Sequence, residues 1–207
     1  MRFYEFAPTR SIRVRWLLQE LGVPFEAITV NLIRGDHRRP EFLALNPAGK
    51  LPVLVDEGVV FTESIAILLY LAEKFSAAGY LPRDLAARAQ VNRWLLFAAT
   101  ELEQPLWRIA RHTALYPEQK RLPPEVPLAE NDFREMAAVL ERHLEGREFV
   151  CGEAVSVADF ALAYTLDWAH EAKLLNGFDT SRAYLERMYA RPNAAPRIAA
   201  AFASIDA

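Results

Sequence analysis

Strand patterns are confined to roughly the first third of this 207-residue chain, and this restricts its fold more than any other feature. Four short apolar or aromatic runs predict strands, over residues 2–6, 25–30, 51–55 and 59–61. Helical patterns occur among them, and only helical patterns occur beyond residue 84. The sequence therefore predicts an α/β domain over residues 1–76, a linker over 77–84 and an all-α helical bundle domain over 85–207.

Turn and helix signals inside the first domain support this order. Apolar residues spaced along one helix face predict a helix that ends at Gly22. Gly58 supplies the positive φ of a hairpin turn between the last two strands. Residues 65–75 are apolar almost all round, which predicts a buried helix.

Charge and cysteine content exclude several classes of function. The chain has 24 Lys and Arg against 27 Asp and Glu, so we expect no nucleic-acid or anionic-membrane partner. No stretch approaches about 18 apolar residues, so we expect no membrane span. The single cysteine, Cys151, cannot form an internal disulfide or a cysteine-based zinc site. We expect no metal, and the absence of a secretory pattern after Met1 predicts a cytoplasmic location.

Residues 51–54, Leu-Pro-Val-Leu, form the first candidate binding element. Pro52 cannot donate a hydrogen bond to a sheet. From these four residues alone we favour an edge strand opened by a proline. The alternative is a cis bond before Pro52 that exposes the backbone of Val53 to a peptide-like ligand.

Glu63 and Ser64 precede the helix over 65–75 and form the second element. The start of a helix attracts a carboxylate, and Glu63 attracts an ammonium group, so together they match an α-amino acid. Plain helix capping by Ser64 is the alternative. A third element, Thr9-Arg10-Ser11, places two hydroxyls and a cation at the start of the first helix, where they either cap it or stabilise an anion such as a thiolate.

The order of these elements resembles the cytosolic glutathione S-transferase family. Residues 46–54 read Asn-Pro-Ala-Gly-Lys-Leu-Pro-Val-Leu, and residues 62–67 read Thr-Glu-Ser-Ile-Ala-Ile. Residues 149–162 are similar to the C-terminal signature of that family. The resemblance covers about residues 1–204 and points to a bacterial-type member with a serine- or threonine-like site.

The resemblance implies a thioredoxin-like first domain that binds glutathione as a co-substrate. Pro52 would be the family's cis-proline, and Val53 would pair with the cysteinyl part. Glu63 and Ser64 would hold the γ-glutamyl end, and Lys50 would lie near the glycyl carboxylate. The implied glutathione-binding residues are His37, Lys50, Leu51, Pro52, Val53, Glu63 and Ser64.

Family members use Tyr, Ser or Cys to contact the thiol. A cysteine-type site is excluded because no Cys precedes Cys151, and Tyr4 comes too early in the chain for a tyrosine-type site. Thr9 and Ser11 remain, and we favour Ser11 because it stands at the start of the helix. Arg10 either adds positive charge or points into solvent.

The predicted activity is a glutathione S-transferase that ionises bound glutathione for attack on a small electrophile, with a role in detoxification. The acceptor site would lie on the helical domain, with candidates Trp107, Arg108, Arg111, His112, Tyr116 and Tyr164. The two arginines suggest an acidic or polarised acceptor. The resemblance also predicts a homodimer formed through residues 65–75 and 85–112. The alternatives are a glutathione-dependent peroxidase, isomerase or dehalogenase, and a non-catalytic binding protein on the same scaffold.

Ser156 and Asp159 have the spacing of a capping box, which predicts a role in folding. Cys151, beside them in the sequence, is more typical of a small buried apolar residue than of a nucleophile.

Overall fold

The computed structural model describes residues 1–205; Asp206 and Ala207, the end of the predicted helical domain, lie outside the described residues. Contacts divide the chain into two compact units, Met1–Leu81 with Arg191–Ala207, and Pro82–Ala190. The predicted ranges placed the last segment with the helices, whereas its contacts place it with the first unit.

The first unit contains a four-stranded mixed sheet in the order β2-β1-β3-β4. Its strands are β1 (Arg2–Glu5), β2 (Glu26–Thr29), β3 (Val53–Asp56) and β4 (Val59–Thr62). Strand β1 is parallel to β2 and antiparallel to β3, which is in turn antiparallel to β4. Since β3 lies inside the sheet, the interpretation of Pro52 as the start of an edge strand is wrong.

Side-chain alternation gives this sheet two buried faces. Phe3 and Leu54 are fully buried, as are Leu17 of α1 (Ser11–Leu21) and Leu68 of α3 (Ser64–Lys74). A second cluster contains residues of β3 and of the loop that carries α2 (Pro40–Leu43). Its members are Val30, Phe42, Val53 and Val55, with Tyr4, Leu45 and Leu51 packed against them.

Two turns form as the sequence predicts. Gly22 ends α1 in the left-handed region, at φ 63°. Gly58, at φ 83°, and Glu57, at φ 51°, form the two-residue turn between β3 and β4, and two positive φ angles are typical of a tight hairpin. Helix α3 differs from the prediction, since it buries one face only and Ala66 and Glu73 are exposed.

The second unit is helical, as predicted. It contains α4 (Leu85–Phe97), α5 (Glu103–Ala110), α6 (Glu125–Leu144), α7 (Val157–Glu171) and α8 (Asp179–Tyr189). Residues 98–102 form a wide π-type turn that joins α4 to α5, and Pro105 lies in the first turn of α5, where a proline is tolerated. Helix α7 is the central helix of this unit, because it is buried from Val157 to Asp167.

Two carboxylates hold the starts of α7 and α8. Asp159 and Ser156 form the predicted capping box at α7. Glu141 of α6 accepts the backbone N–H groups of Thr180 and Ser181 at 2.7 and 2.8 Å. Burial disfavours ionisation of Glu141, but hydrogen bonds from Ser181 and Thr180 outweigh it and hold its pKa below the ordinary value.

The last segment contains the short helix α9 (Ile198–Ala203). Within residues 1–205, no helix combines the length and the apolar character that crossing a membrane requires.

Candidate active site

Sheet register brings three loops of the first unit together at one edge of the sheet, the edge where β1 and β4 end and β3 begins. Tyr4 of β1 pairs with Val53 of β3, and Val53 pairs with Thr62 of β4. Because β3 runs opposite to both neighbours, its start lies beside the ends of β1 and β4. The turn after β1, the loop before β3 and the residues after β4 therefore meet at this edge.

The turn after β1 carries the two predicted hydroxyls. It passes through a cis bond between Ala7 and Pro8, and the N–H of Thr9 donates to the Phe6 carbonyl at 3.0 Å. Helix α1 begins at Ser11, and Arg10 occupies the N-cap position without a side-chain capping bond. With no acidic residue in the first turn, the positive end of the helix dipole is not neutralised locally.

Thr9 and Ser11 bond to each other and to the backbone of the same residue, Phe6. Thr9 Oγ1 donates to the Phe6 carbonyl at 2.6 Å, and Ser11 Oγ accepts the Phe6 N–H at 3.3 Å. The two hydroxyl oxygens are 2.8 Å apart. Each hydroxyl has one hydrogen, so Thr9 donating to Phe6 leaves Ser11 as the donor between them. Ser11 is 1% exposed, whereas Thr9 is only half-buried, so a ligand reaches Thr9 more readily.

The loop before β3 is closed by a buried asparagine that the sequence analysis did not single out. The Asn46 side chain donates to the Lys50 carbonyl at 2.8 Å and accepts the Ala48 N–H at 3.1 Å. These bonds fix the backbone directly before the Leu51–Pro52 bond, which is cis. The signal that could have found Asn46 is the tendency of Asn before Pro to form side-chain-to-backbone turns.

Val53 follows this bond and differs from the expectation of exposed backbone groups. It is 0% exposed and lies between β1 and β4. Leu51 is half-buried and Pro52 is buried. Among residues 50–53, Lys50 is exposed, so its polar groups are the ones that a ligand reaches most readily.

His37 lies against the same loop. Gly49 has φ 61°, and a Cβ there would stand 3.1 Å from the His37 carbonyl oxygen. This close approach, together with the positive φ, explains why the loop has glycine at this position. His37 and Lys50 are thereby held at one end of the site.

Glu63 and Ser64 follow β4 at the same sheet edge. Glu63 adopts φ 64° and ψ 111°, a backbone conformation that costs a non-glycine residue about 1–3 kcal/mol. Helix α3 begins at Ser64, so Ser64 is not the N-cap residue that the capping alternative required. Glu63 is exposed and Ser64 is 4% exposed, and no acidic residue lies in the first turn of α3. The pair thus presents a free carboxylate beside a positive helix end.

Comparison with known proteins identifies the family. Residues 1–73 match the family model described as glutathione S-transferase, N-terminal domain, and residues 114–202 match the one described as glutathione S-transferase, C-terminal domain. "Glutathione S-transferase F10" of Arabidopsis thaliana is 37% identical over 70% of this chain and 69% of its own length. The chain belongs to the glutathione S-transferase family.

Two further relatives extend this match over most of the chain. "Glutathione S-transferase GST-4.5" of Xanthomonas campestris pv. campestris is 30% identical over 92% of this chain and 93% of its own length. The crystal structure of a glutathione transferase family member from Pseudomonas fluorescens pf-5, with two glutathione bound, superposes with a TM-score of 0.84. It is 27% identical and covers 93% of this chain and 89% of its own. The predicted family and fold class are confirmed, and the chain is a glutathione transferase.

The predicted acceptor residues of this glutathione S-transferase differ in their burial and contacts. Trp107 is half-buried, and its ring centroid lies 5.0 Å from that of Trp168, with the two rings at 85°. The Arg111 guanidinium lies 5.9 Å from the Trp107 ring centroid. Tyr116 packs edge-on against His112, at 5.4 Å between centroids. Tyr164 is buried within α7.

Arg108 differs from the expectation of a cation available to an acidic acceptor. Its guanidinium pairs with Asp132 and with Glu125, the latter at 3.0 Å. These hydrogen bonds raise its pKa, and the two carboxylates offset its charge. Arg111 therefore remains the better candidate for contact with a polarised acceptor.

Cys151 is half-buried, which is less burial than its residue type predicts. Burial, reinforced by the nearby charge of Asp159, raises the pKa of its thiol to about 11, so the thiolate is scarce near neutral pH. Among residues 1–205, no group of three or more His, Cys, Asp or Glu side chains is placed to hold a metal ion.

Proposed function

We propose that the sheet edge described above binds glutathione and that the Thr9 hydroxyl stabilises its thiolate for attack on a small electrophile. The observation that carries the proposal is the register Tyr4–Val53–Thr62, which gathers the hydroxyl turn, the loop before β3 and the Glu63–Ser64 pair. A peptide ligand that spans this edge can contact all three.

Each end of glutathione has a chemical match at this edge. The γ-glutamyl ammonium pairs with the Glu63 carboxylate, and its carboxylate meets Ser64 and the start of α3. Lys50 and His37 are assigned to the glycyl carboxylate. Pairing of the glutathione backbone with that of Val53 remains a prediction. The sheet register supports it, whereas the burial of Val53 argues against it.

Ionising the thiol requires only a moderate free energy. A thiol with a pKa of about 8.5 is about 3% ionised at pH 7. Lowering that pKa by about two units requires about 2.7 kcal/mol. One hydrogen bond to a charged group contributes about 1.5–3 kcal/mol, and the start of α1 adds a favourable dipole. Thr9 supplies that bond by turning its hydrogen from the Phe6 carbonyl to the sulfur, while Ser11 fixes its position.

The test is the pKa of enzyme-bound glutathione, measured from thiolate absorbance against pH. We expect Thr9→Ala to raise it by about one to two units, since one charge-assisted bond is lost. Thr113→Ala is the matched control, because its hydroxyl donates to the Ile109 carbonyl on an exposed helical turn. An unchanged pKa in Thr9→Ala, with a shift in Ser11→Ala, assigns the donor to Ser11 instead.

We also propose a homodimer in the cytoplasm. Leu85 and Leu96 of α4 are 80% and 59% exposed, and α3 leaves Ala66 uncovered, which gives each helix apolar surface for a second copy. Light scattering tests the assembly: a mass near twice 23.5 kDa supports it, and the monomer mass at micromolar concentration contradicts it.

A further inference from the structure

The segment that follows the second unit, residues 191–205, returns to the first unit and is held there by a partly buried ion pair. Arg191 donates two hydrogen bonds to the Glu20 carboxylate, at 2.7 and 3.0 Å. Glu20 lies on α1, its side chain is 5% exposed, and it also accepts from Trp16 at 3.3 Å. Arg191 therefore attaches the start of the segment to the helix that begins at Ser11.

The same segment lines a cavity next to residues 6–11, the proposed catalytic turn that carries Thr9 and Ser11. The cavity has a volume of about 440 Å³. Phe6, Ala7 and Ile12 line it from the turn and α1, and Ala201 and Ile205 line it from the segment. The hydroxyls of Thr9 and Ser11 are bonded to the backbone of Phe6, Thr9 to its C=O and Ser11 to its N–H. Phe6, whose backbone is bonded to both hydroxyls, thus lines the same cavity as the segment.

Helix α9 requires tertiary contacts. It has six residues, and a helix that short is not stable in water without tertiary contacts. Ile198 and Ala201 are 5% and 2% exposed, so packing on the first unit supplies those contacts. Loosening residues 191–205 removes one wall of the cavity and leaves the Phe6–Ala7 backbone less restrained.

We propose that residues 191–205 are a positioning element for the catalytic turn, attached through Arg191–Glu20. The segment fixes the Phe6–Ala7 backbone, and this backbone fixes the Thr9 hydroxyl. Arg191 is a positioning residue and does not contact the substrate. The inference rests on the proposed role of Thr9 and goes beyond it by assigning a function to a distant part of the chain.

The test compares Arg191→Ala with Arg182→Ala, which removes an exposed ion pair with Asp179. For Arg191→Ala we expect kcat at pH 7 to fall roughly three- to tenfold, and the thiol pKa in the pH–rate profile to rise by about one unit. Because the thiol ionises fully in both proteins at high pH, kcat should recover towards the wild-type value near pH 9. Glutathione affinity should change less than about threefold. Arg182→Ala should leave the profile unchanged.

A purely structural role for Arg191 predicts a different outcome. The loss of activity at each pH would then match the unfolded fraction measured at that pH, with no shift of the thiol pKa, and this result overturns the proposal. If Arg191→Ala does not fold, Ile205→Ala is tested in its place. This variant keeps the Arg191–Glu20 ion pair and removes most of the Ile205 side chain from the cavity lining. We expect a smaller rise of the thiol pKa in this variant, and an unchanged profile overturns the proposal.

A double variant separates this inference from the proposed function. If Arg191 acts through Thr9, Thr9→Ala/Arg191→Ala should have the same thiol pKa as Thr9→Ala alone. A shift in Thr9→Ala with none in Arg191→Ala rejects the positioning role only. No shift in Thr9→Ala rejects the proposed donor.

Discussion

Asp159 stabilises the helical unit through a set of buried hydrogen bonds whose loss can be estimated. It is 0% exposed, and its Oδ1 accepts the Val150 N–H at 2.8 Å and the Tyr184 hydroxyl at 2.7 Å. Its Oδ2 accepts the Ser156 N–H at 2.7 Å and the Ser156 hydroxyl at 2.9 Å. Asp159→Ala leaves four donors without these acceptors: two backbone N–H groups, the Ser156 hydroxyl and the Tyr184 phenol. At about 1 kcal/mol for each buried unpaired donor, the low end of the range for such groups, we expect a loss of about 4 kcal/mol of stability.

The assay is urea unfolding followed by circular dichroism, with Asp179→Ala as the matched control. Asp179 is exposed in the first turn of α8 and pairs across the surface with Arg182, so we expect its loss to cost less than about 1 kcal/mol. The stability of Asp159→Asn should lie between those of Asp159→Ala and Asp179→Ala. Its side-chain oxygen keeps one pair of donors, while its amide NH₂ faces the Ser156 N–H. Glutathione affinity of folded Asp159→Ala should change little. A stability within about 1 kcal/mol of wild type would refute the reasoning.

Three further predictions concern the site and the pH response. Glu63→Gln and Ser64→Ala should each weaken glutathione binding by roughly ten- to a hundredfold, the equivalent of about 1.5–3 kcal/mol, and unchanged calorimetric affinity in both would reject their assignment. Asn46→Ala, which loses the bond to the Lys50 carbonyl, should raise the KM for glutathione with little change in kcat, and Asn46→Asp should recover part of the loss because it keeps one acceptor. The pKa of Glu141 lies below its ordinary value, so its contribution to stability is complete above about pH 4.3 and is lost as pH falls through the lower folded value. Glu141→Gln should therefore flatten the decline of the urea midpoint below about pH 4.3, and an unchanged decline would contradict this account.

Local signals in the sequence predicted the local features of the fold. Gly22 and Gly58 adopt the positive φ angles that their turns require, and Ser156 and Asp159 form a capping box. These features depend on residues that are close together in the chain. The hydrophobic periodicity of the strands and helices in the first unit could be identified from the sequence for the same reason.

The features that the sequence could not predict depend on distant partners or on strain. Glu63 is a non-glycine residue at φ 64°, and propensity gives no reason to expect this conformation. In the sequence, Arg108 has the character of a cation that can bind an anion. In the fold, two carboxylates of α6 lie against it. Arg191 and Glu20 are separated by 171 positions, so no local pattern could assign the last segment to the first unit.

The site follows from sheet register more than from any single motif. Thr9, Pro52 and Glu63 lie in three loops, and only the pairing of Tyr4 with Val53 and of Val53 with Thr62 places those loops together. A slip of β4 by one residue would reverse the direction of every side chain on that strand and move the start of α3 along the sheet edge. The β3–β4 turn opposes such a slip, because its two positive φ angles suit a two-residue loop between Asp56 and Val59. If the proposed site is correct, substitutions in that turn should therefore weaken binding of the γ-glutamyl end of glutathione before they affect the proposed contact of Thr9 with the thiol.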